Sequence, residues 1–86
     1  MYFIYILQSL KDKKLYIGCT KNIEDRFIQH NAGAVKSTKN RRPLDLIYYE
    51  AFKYESDARK QELFYKTSQG RRVLKNRLVS IIGGVA

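Results

Sequence analysis

Hydrophobic positions follow two different periodicities along this chain, and these periodicities predict its strands and helices. Tyr2–Leu7 is a β-prone apolar run without a helical period, which predicts a well-buried strand. A polar connection that contains Asp12 follows, and Leu15–Gly18 is predicted to return beside the first strand as a hairpin. A later run, Leu44–Phe52, predicts a third strand.

The first predicted helix lies between the hairpin and the third strand. Asn22 is a suitable N-cap, and Asp25 follows three residues later, close to a capping-box arrangement. Ile23 and Phe27 are one helical turn apart, so both can face a core. Gly33 stands where a glycine commonly ends a helix.

An exposed loop is predicted before the third strand, and two helices after it. The loop is the polar, basic stretch Ala34–Pro43. Ser56 is predicted to cap the second helix, which should end near Gly70. The third helix is predicted from about Arg71 to Ile82, and Gly83–Gly84 would stop it. Its predicted apolar face consists of Leu74, Leu78, Ile81 and Ile82.

These elements occur in the order β-β-α-β-α-α, which predicts an α+β fold of the layered sandwich kind: a three-stranded antiparallel sheet with three helices packed on it. The 86 residues fit one domain over 1–82 and a short tail at 83–86. No apolar run approaches the roughly 20 residues that cross a bilayer, and the first strand lacks a signal-peptide pattern. A single cysteine, Cys19, is consistent with a reducing compartment. We therefore expect a cytoplasmic location without a membrane partner.

The charge balance indicates a polyanionic partner. Seventeen Lys and Arg against eight Asp and Glu give a net charge of +9. Such an excess favours nucleic-acid binding, because neutralising phosphates releases counterions; a generally basic surface or attraction to anionic membranes is the alternative. The excess is concentrated in two blocks, which contain Lys36, Lys39, Arg41 and Arg42, and Arg71, Arg72, Lys75 and Arg77.

A series of short motifs can carry chemistry: Phe3-Ile-Tyr5, Tyr16-Ile-Gly18, and then Arg26, His30, Glu62 and Asn76. In order and spacing this series resembles the GIY-YIG nuclease superfamily, and the resemblance covers nearly the whole chain. The stretches Lys39–Pro43 and Gly70–Leu78 resemble its small single-domain branch, which is related to the amino-terminal nuclease module of excinuclease C. One position departs from the motif, because Phe3 stands where the first motif has its glycine.

The residues of this series suit phosphodiester hydrolysis. If Tyr5 and Tyr16 are neighbours across the hairpin, both phenols can leave one face of the sheet. A phenol is a poor base unless its pKa near 10 is lowered, and His30, the only imidazole, can join a proton relay. Arg26 lies four residues before His30, so a helix projects both the same way, and a guanidinium can hold two phosphate oxygens. Taken alone, either Tyr also suits strand packing, and His30 also suits an ordinary surface position.

Glu62 is the acidic residue that matches the metal-ligand position of the resembled family. One carboxylate with water and substrate phosphate is typical of Mg²⁺, so the resemblance implies a single Mg²⁺ or Mn²⁺ ion. The alternative for Glu62 is a salt bridge with Arg59 or Lys66 on the same helix. Asn76 can bind phosphate or orient the site, or lie exposed on its helix.

The resemblance therefore implies a metal-dependent endonuclease that cuts DNA, with RNA not excluded, in DNA repair or processing. No small-molecule cofactor is implied, and the protein is expected to be a monomer or a weak homodimer. A non-catalytic nucleic-acid-binding module on the same scaffold is the alternative. A third hypothesis is an interaction protein that docks through the Tyr48–Tyr49 strand.

Overall fold

The structure is a computed structural model that describes residues 1–81. Its elements are β1 (Tyr2–Ser9), β2 (Leu15–Thr20), α1 (Ile23–Asn31), β3 (Leu44–Phe52), α2 (Glu55–Tyr65) and α3 (Ser68–Arg77). The predicted β-β-α-β-α-α order and the α+β class are confirmed. Within residues 1–81, no helix has the length and apolar character needed to cross a membrane. The glycine stop and the tail predicted at 83–86 lie outside the described residues.

The sheet has the strand order β2-β1-β3, and both neighbours run antiparallel to β1. The central position of β1 explains why its apolar run lacks alternation, since Ile4–Leu7 is buried on both faces of the sheet. Tyr5, in the middle of β1, pairs with Gly18 of β2 on one side and with Tyr49 of β3 on the other.

Side chains of β1 alternate between two faces, and each face has its own core. On the first face, α2 and α3 pack over β1, and this core contains Ile4, Ile6, Ile17, Ala58, Tyr65, Leu74 and Leu78. On the second face, α1 packs over Tyr5, Leu7 and Leu44, together with Tyr16, Phe27 and Leu46. These surfaces are called the α2–α3 face and the α1 face below.

A β-bulge in β3 decides which of its residues lie on the α1 face. Pairing with β1 shifts by one residue, so Leu46 pairs with Leu7, Tyr49 pairs with Tyr5, and Ile47 is the extra residue nearby. Leu46 and Tyr49 are three positions apart, and regular alternation would put them on opposite faces. The bulge allows both to lie on the α1 face, each beside its partner from β1.

The predicted ends of α1 are confirmed. The Asn22 side chain accepts a hydrogen bond from the Asp25 backbone N–H at 3.1 Å, which satisfies one free donor of the first turn. The helix ends at Asn31, and Gly33 follows with φ +80°, a backbone conformation that glycine adopts without strain.

The start of α2 differs from the prediction. Tyr54 is the N-cap residue and the helix begins at Glu55, so Ser56 lies inside the first turn and does not cap the helix. No side chain caps this end. The negative charges of Glu55 and Asp57 in the first turn favour the helix dipole instead, so a capping residue was the wrong signal to follow.

The boundary predicted near Gly70 is also wrong. Helix α2 ends at Tyr65, and Thr67 caps α3 by accepting a hydrogen bond from the Gly70 N–H at 3.0 Å. Gly70 therefore lies in the first turn of α3. A Cβ at this position would overlap the carbonyl group of Phe64. The glycine permits close contact between two helices and does not mark the end of one.

Helix α3 consequently runs over Ser68–Arg77 and not over the predicted Arg71–Ile82. Leu74 and Leu78 are buried, as the predicted apolar face requires. Ile81 was expected on the same face, but it follows the helix and is 51% exposed. The apolar pattern continued past the point at which the helix ends, so periodicity alone placed the boundary too late.

A polar cluster joins β3 to both helices of the α2–α3 face. Glu50 accepts hydrogen bonds from the hydroxyl groups of Tyr65 and of Tyr48 (2.7 Å), from the Gln61 amide (2.9 Å) and from Arg77 (3.3 Å). Burial alone would raise the pKa of Glu50, but these donors lower it below its usual value. No local sequence pattern indicates Glu50, because its partners come from β3, α2 and α3.

Candidate active site

Tyr5 lies at the centre of the α1 face and is 2% exposed. Its ring lies over Gly18 of β2, where an added Cβ would overlap the phenol and come within 2.8 Å of Cε1. Real Cβ atoms do not make contacts this short. The glycine of the second motif is therefore required for the Tyr5 ring to cross β2, and this explains why the two motifs occur together.

His30 comes from the last turn of α1 and is completely buried. Its Nε2 lies 2.9 Å from the Tyr5 hydroxyl oxygen, and its Nδ1 lies 2.7 Å from Oγ1 of Thr38. The alternative of an ordinary surface histidine is therefore wrong. Arg26, one turn earlier on α1, places Nε 3.4 Å from the same Tyr5 oxygen. The expected common direction of Arg26 and His30 is confirmed.

One arrangement of hydrogen atoms satisfies this whole group. The Thr38 hydroxyl donates to the Val35 carbonyl oxygen at 3.5 Å and accepts from His30 Nδ1–H. Nε2 of His30 is then unprotonated and accepts the Tyr5 hydroxyl hydrogen, while the Tyr5 oxygen accepts from Arg26 Nε. The result is a directed chain of donors that runs from Arg26 through Tyr5 to His30.

Burial sets the protonation states of this chain. It raises the pKa of Tyr5 to about 12, with the Arg26 hydrogen bond acting in the opposite direction. Burial also lowers the pKa of His30 to about 4, and the positive charge of Arg26 adds to this effect. Tyr5 and His30 are therefore both neutral at pH 7, as the hydrogen-bond arrangement requires.

Thr38 was not identified from the sequence. It lies in the stretch predicted as an exposed loop, yet it is completely buried against His30. The signal was indirect: Gly33 reverses the chain after α1, so the residues that follow return toward the end of that helix. Only the return path of the loop decides which of its hydroxyl groups meets the imidazole.

Tyr16 stands beside this chain on β2. Its ring centroid lies 6.3 Å from that of Tyr5 and 5.0 Å from that of His30, in edge or tilted orientations. The expectation that the two phenols leave one sheet face is confirmed, although Tyr5 and Tyr16 are diagonal and not direct partners. Tyr16 is half-buried, so one part of its ring contacts the group and another contacts solvent.

Arg26 is held at the edge of the group. Its Nη1 donates to the Gln29 side-chain oxygen at 2.9 Å, in addition to the contact of Nε with Tyr5. The hydrogen bond to Tyr5, with smaller contributions from Tyr16, raises the pKa of Arg26 above its usual value. The guanidinium has more donors than these partners use, so it can also bind an anion.

Glu62 comes from a different helix than Arg26 and His30 and forms no hydrogen bond with them or with Tyr5 within residues 1–81. It lies on α2, which packs on the α2–α3 face, and its carboxylate accepts from Arg59 Nη1 at 3.2 Å and from Lys66 Nζ at 3.1 Å. These are the salt bridges considered as its alternative role. Its negative charge still makes a small contribution to raising the pKa of Tyr5, which places it within electrostatic range. Within residues 1–81, no three His, Cys, Asp or Glu side chains form a group that could hold a metal.

Two basic residues of the loop are exposed, and two others contact neighbouring groups. Lys36 and Lys39 are exposed and lie within two residues of Thr38 in the sequence. Thr38 in turn contacts the buried imidazole of His30. Arg41 lies 3.6 Å from Asp12 in the hairpin turn. Arg42 donates to the Lys39 carbonyl oxygen at 2.8 Å. Both arginines thus take part in holding the loop in place.

The second basic block lies in the other layer. Arg71, Arg72, Lys75 and Asn76 are all exposed on α3, which packs on the α2–α3 face. Through Thr38, the basic loop is connected to the α1 face instead. The structure therefore places the two basic blocks on different layers of the molecule.

The chain is similar in sequence to a known domain family and to several known proteins. The chain matches the GIY-YIG catalytic domain over residues 1–76. It is 45% identical over 75 residues to a UPF0213 protein of Staphylococcus saprophyticus, covering 86% of this chain and 90% of the relative, and 43% identical over the same shares to one of Staphylococcus haemolyticus. The solution NMR structure of a UPF0213 protein from Bacillus halodurans is 34% identical, with a TM-score of 0.53 over 99% of this chain and 89% of the other. The chain therefore belongs to the GIY-YIG nuclease family.

Proposed function

We propose that this protein is a metal-dependent endonuclease that hydrolyses phosphodiester bonds in DNA, in repair or processing. Family membership supports a nuclease-type function. The proposal of phosphodiester hydrolysis rests on the position of the Tyr5 phenol oxygen. This oxygen lies 2.9 Å from His30 Nε2 and 3.4 Å from Arg26 Nε. A proton acceptor and a fixed positive charge at one hydroxyl suit the attack of water on a phosphodiester.

In the proposed mechanism Arg26 binds the phosphate. Its contacts with Tyr5 and Gln29 fix the orientation of the guanidinium and leave donors for phosphate oxygens. Because the charge is held in place before the reaction, it stabilises the additional negative charge of the transition state without reorganisation.

Tyr5 and His30 manage the proton of the attacking water. As the water O–H bond breaks, the Tyr5 oxygen takes this proton and the hydroxyl hydrogen of Tyr5 moves to His30 Nε2. With pKa values of about 12 for Tyr5 and about 4 for His30, this shift is unfavourable before attack. It therefore accompanies the formation of the new P–O bond, and Thr38 keeps the imidazole in the accepting tautomer.

Glu62 is the residue that would hold a divalent ion. A carboxylate is a hard oxygen ligand, and Mg²⁺ or Mn²⁺ bound by one carboxylate completes its shell with water and phosphate oxygens. Such an ion supplies positive charge to the phosphate and the leaving oxygen. The Arg59 and Lys66 side chains that contact Glu62 are about half exposed, so both can move away from the carboxylate, whereas the Glu62 side chain itself is only 12% exposed.

The same two salt bridges favour a second candidate function. A carboxylate neutralised by Arg59 and Lys66 is consistent with a non-catalytic module that binds nucleic acid through its basic surface. The two functions differ in one property, since the binding module retains affinity for DNA but does not turn over with any divalent ion.

Replacement of Glu62 by Gln tests the proposal directly. The parent protein should cleave at least one of a panel of duplex, flap, branched and single-stranded substrates in Mg²⁺ and not in EDTA. Glu62→Gln keeps the size and helix propensity but removes the ligand charge, so cleavage should be lost while DNA binding in EDTA is kept. Thermal melting should change little, because Gln keeps the side-chain volume and its amide oxygen can still accept a hydrogen bond from Arg59 or Lys66.

Glu55→Gln is the matched control, since Glu55 forms a comparable pair with Arg59 at 3.6 Å on the same helix. It should leave cleavage unchanged. Full activity of Glu62→Gln would remove Glu62 from the site. Absence of turnover by the parent protein on the whole panel, with DNA binding intact, would establish the binding module instead.

A further inference from the structure

An aromatic pair on the α1 face lies outside the hydrogen-bonded group around Tyr5. The rings of Phe3 and Tyr49 are 6.0 Å apart at an angle of 71°, an edge-to-face contact. Tyr49 is 54% exposed, whereas Phe3 is half-buried. Phe3 thus supports a tyrosine ring that remains open to solvent.

This pair lies on the same sheet face as the proposed reaction centre, on the β3 side of Tyr5, whereas the Tyr5 ring itself extends over Gly18 of β2. Tyr49 is the direct cross-strand partner of Tyr5, and neighbouring strands are about 4.8 Å apart. Residues directly opposite in an antiparallel pair share a face, so Tyr49 and Tyr5 lie on the same side of the sheet. Helix α1 packs over Leu44 and Leu46 farther along β3 and leaves Tyr49 uncovered.

An open groove of about 300 Å³ accompanies the exposed ring. It follows the edge strand β3 at the bulge and is lined by Leu46 and Tyr49 of the α1 face and by Ile47 and Tyr48 of the other face. It leaves open space at this edge of the sheet beside the Tyr49 ring.

We propose that Tyr49, supported by Phe3, is a stacking site for an unpaired nucleobase next to the phosphate that is cleaved. The inference rests on the proposed nuclease function and adds its substrate class. Every base has a π-face, so an exposed aromatic ring binds single strands without sequence preference. The net charge of +9 and the guanidinium of Arg26 near Tyr5 favour a nucleic acid over an uncharged peptide as the occupant.

The proposal also accounts for the aromatic residue in the first motif. A glycine at position 3 would leave Tyr49 without its edge-to-face partner, whereas Phe3 holds the ring in one orientation. Bases inside a duplex are stacked on each other and present no free face. The expected substrates are therefore single strands, flaps and ends, in which one base near the scissile phosphate is unpaired.

Binding measurements in metal-free buffer test the proposal separately from cleavage. The probes are fluorescein-labelled single-stranded DNA, the RNA of the same sequence, and the corresponding DNA duplex, followed by anisotropy. Tyr49→Ala should weaken binding of the single strands by about 5- to 150-fold, which corresponds to stacking of about 1 to 3 kcal/mol per base. Duplex binding should change less than twofold, and Tyr49→Phe should behave like the parent protein.

Tyr54→Ala is the matched control, because Tyr54 is a comparably exposed tyrosine at the start of α2, at 60% exposure. It should not affect single-strand binding. Equal losses for duplex and single strands, or no loss for either, would overturn the stacking site. A change from dimer to monomer in sedimentation of Tyr49→Ala alone would assign the ring to a contact between copies and would also overturn it.

The outcomes distinguish this inference from the nuclease proposal. Selective loss of single-strand binding in a protein that never cleaves would support the stacking site on a binding module. Cleavage that persists equally in parent and Tyr49→Ala, on single strands as well as on duplexes, would keep the nuclease and remove the stacking site.

Discussion

At the scale of single residues, the most informative side chain is Tyr5, which is buried yet carries a polar hydroxyl. A buried hydroxyl requires partners, and Tyr5 has one in His30 and another in Arg26. Tyr16 matches the motif literally but is half-buried, and its ring meets those of Tyr5 and His30 in a tilted and an edge orientation. In the proposed mechanism Tyr5 therefore has the more direct part in proton transfer, because its hydroxyl contacts His30.

The first prediction concerns the two phenols. Tyr5→Phe should lower the cleavage rate by about 10² to 10⁴, because the relay to His30 loses its central group. It should also destabilise the protein by about 1 to 3 kcal/mol, since His30 Nε2 is left buried without its partner. Rates are measured below the melting temperature, with Tyr54→Phe as the control. If Tyr5→Phe and Tyr16→Phe both cleave at the parent rate, the phenols are structural.

The second prediction concerns stability against pH. The pKa of His30 is lowered from its usual 6.5 to about 4, so the unfolded chain binds a proton that the folded protein does not bind between these values. This contribution to stability is complete above pH 6.5 and is lost as the pH falls toward 4. Urea unfolding at several pH values should show this decline, and His30→Asn should flatten it. An unchanged slope in His30→Asn would assign the decline to other groups.

At the scale of elements, the junction between α2 and α3 carries the closest backbone contact among the glycines described. Thr67 caps α3, and Gly70 follows against the Phe64 carbonyl. Thr67 Oγ1 also approaches this carbonyl, at 2.6 Å. The turn between the two helices is thus determined by one cap and one missing side chain.

The third prediction uses this contact. In an ordinary helix Gly→Ala stabilises by about 1 kcal/mol. At Gly70 the new methyl group would lie 2.9 Å from the Tyr65 Cα and overlap the Phe64 carbonyl, so the helices must separate. Such overpacking costs about 1 to 3 kcal/mol or more, and the net effect should be a lower melting temperature. Gln69→Ala, at an exposed position of the same turn, should change melting little; a higher melting temperature for Gly70→Ala would show that the junction is not tight.

At the scale of the whole molecule, the sheet separates two layers that differ in their roles. The α1 face contains Tyr5, Arg26 and His30, whereas the α2–α3 face contains the larger core and the Glu50 cluster. Glu62 lies on α2, in the second layer, and its negative charge contributes to raising the pKa of Tyr5 in the first. The two basic blocks belong to different layers. DNA bound on the α1 face is therefore expected to contact the basic loop more closely than it contacts α3.

The fourth prediction tests this placement. Replacing Lys36 and Lys39 by Ala should reduce the slope of log K against log salt for duplex binding by about 0.9 for each lost phosphate contact. The double variant Arg71→Ala with Arg72→Ala removes the same charge from the other layer and should change the slope less. Equal changes in slope for the two double variants would show that both layers contact DNA phosphates. An unchanged slope for the lysine variant would show that the loop does not contact them. Arg41 and Arg42 are unsuitable for this test, because their side chains hold the loop.

Local patterns in the sequence predicted the strands and the element order, and the resemblance to a known family indicated the series Tyr5, Tyr16, Arg26 and His30. Strand and helix periodicities are local, and residues four apart on a helix point the same way in any fold. The helix boundaries around Gly70 were misplaced because glycine is a local stop signal, while here it meets a carbonyl from another turn.

Which side chains come into contact is visible only in the folded chain. The contact of Thr38 with His30, the partners of Glu50 and the position of Tyr49 beside Tyr5 depend on a loop path, three packed elements and a bulge. Each joins residues distant in the chain, and long-range contacts follow from the path of the backbone and from packing, which no local periodicity encodes. For the same physical reason the salt bridges of Glu62 with Arg59 and Lys66, and its charge acting on Tyr5, appear only in the folded structure.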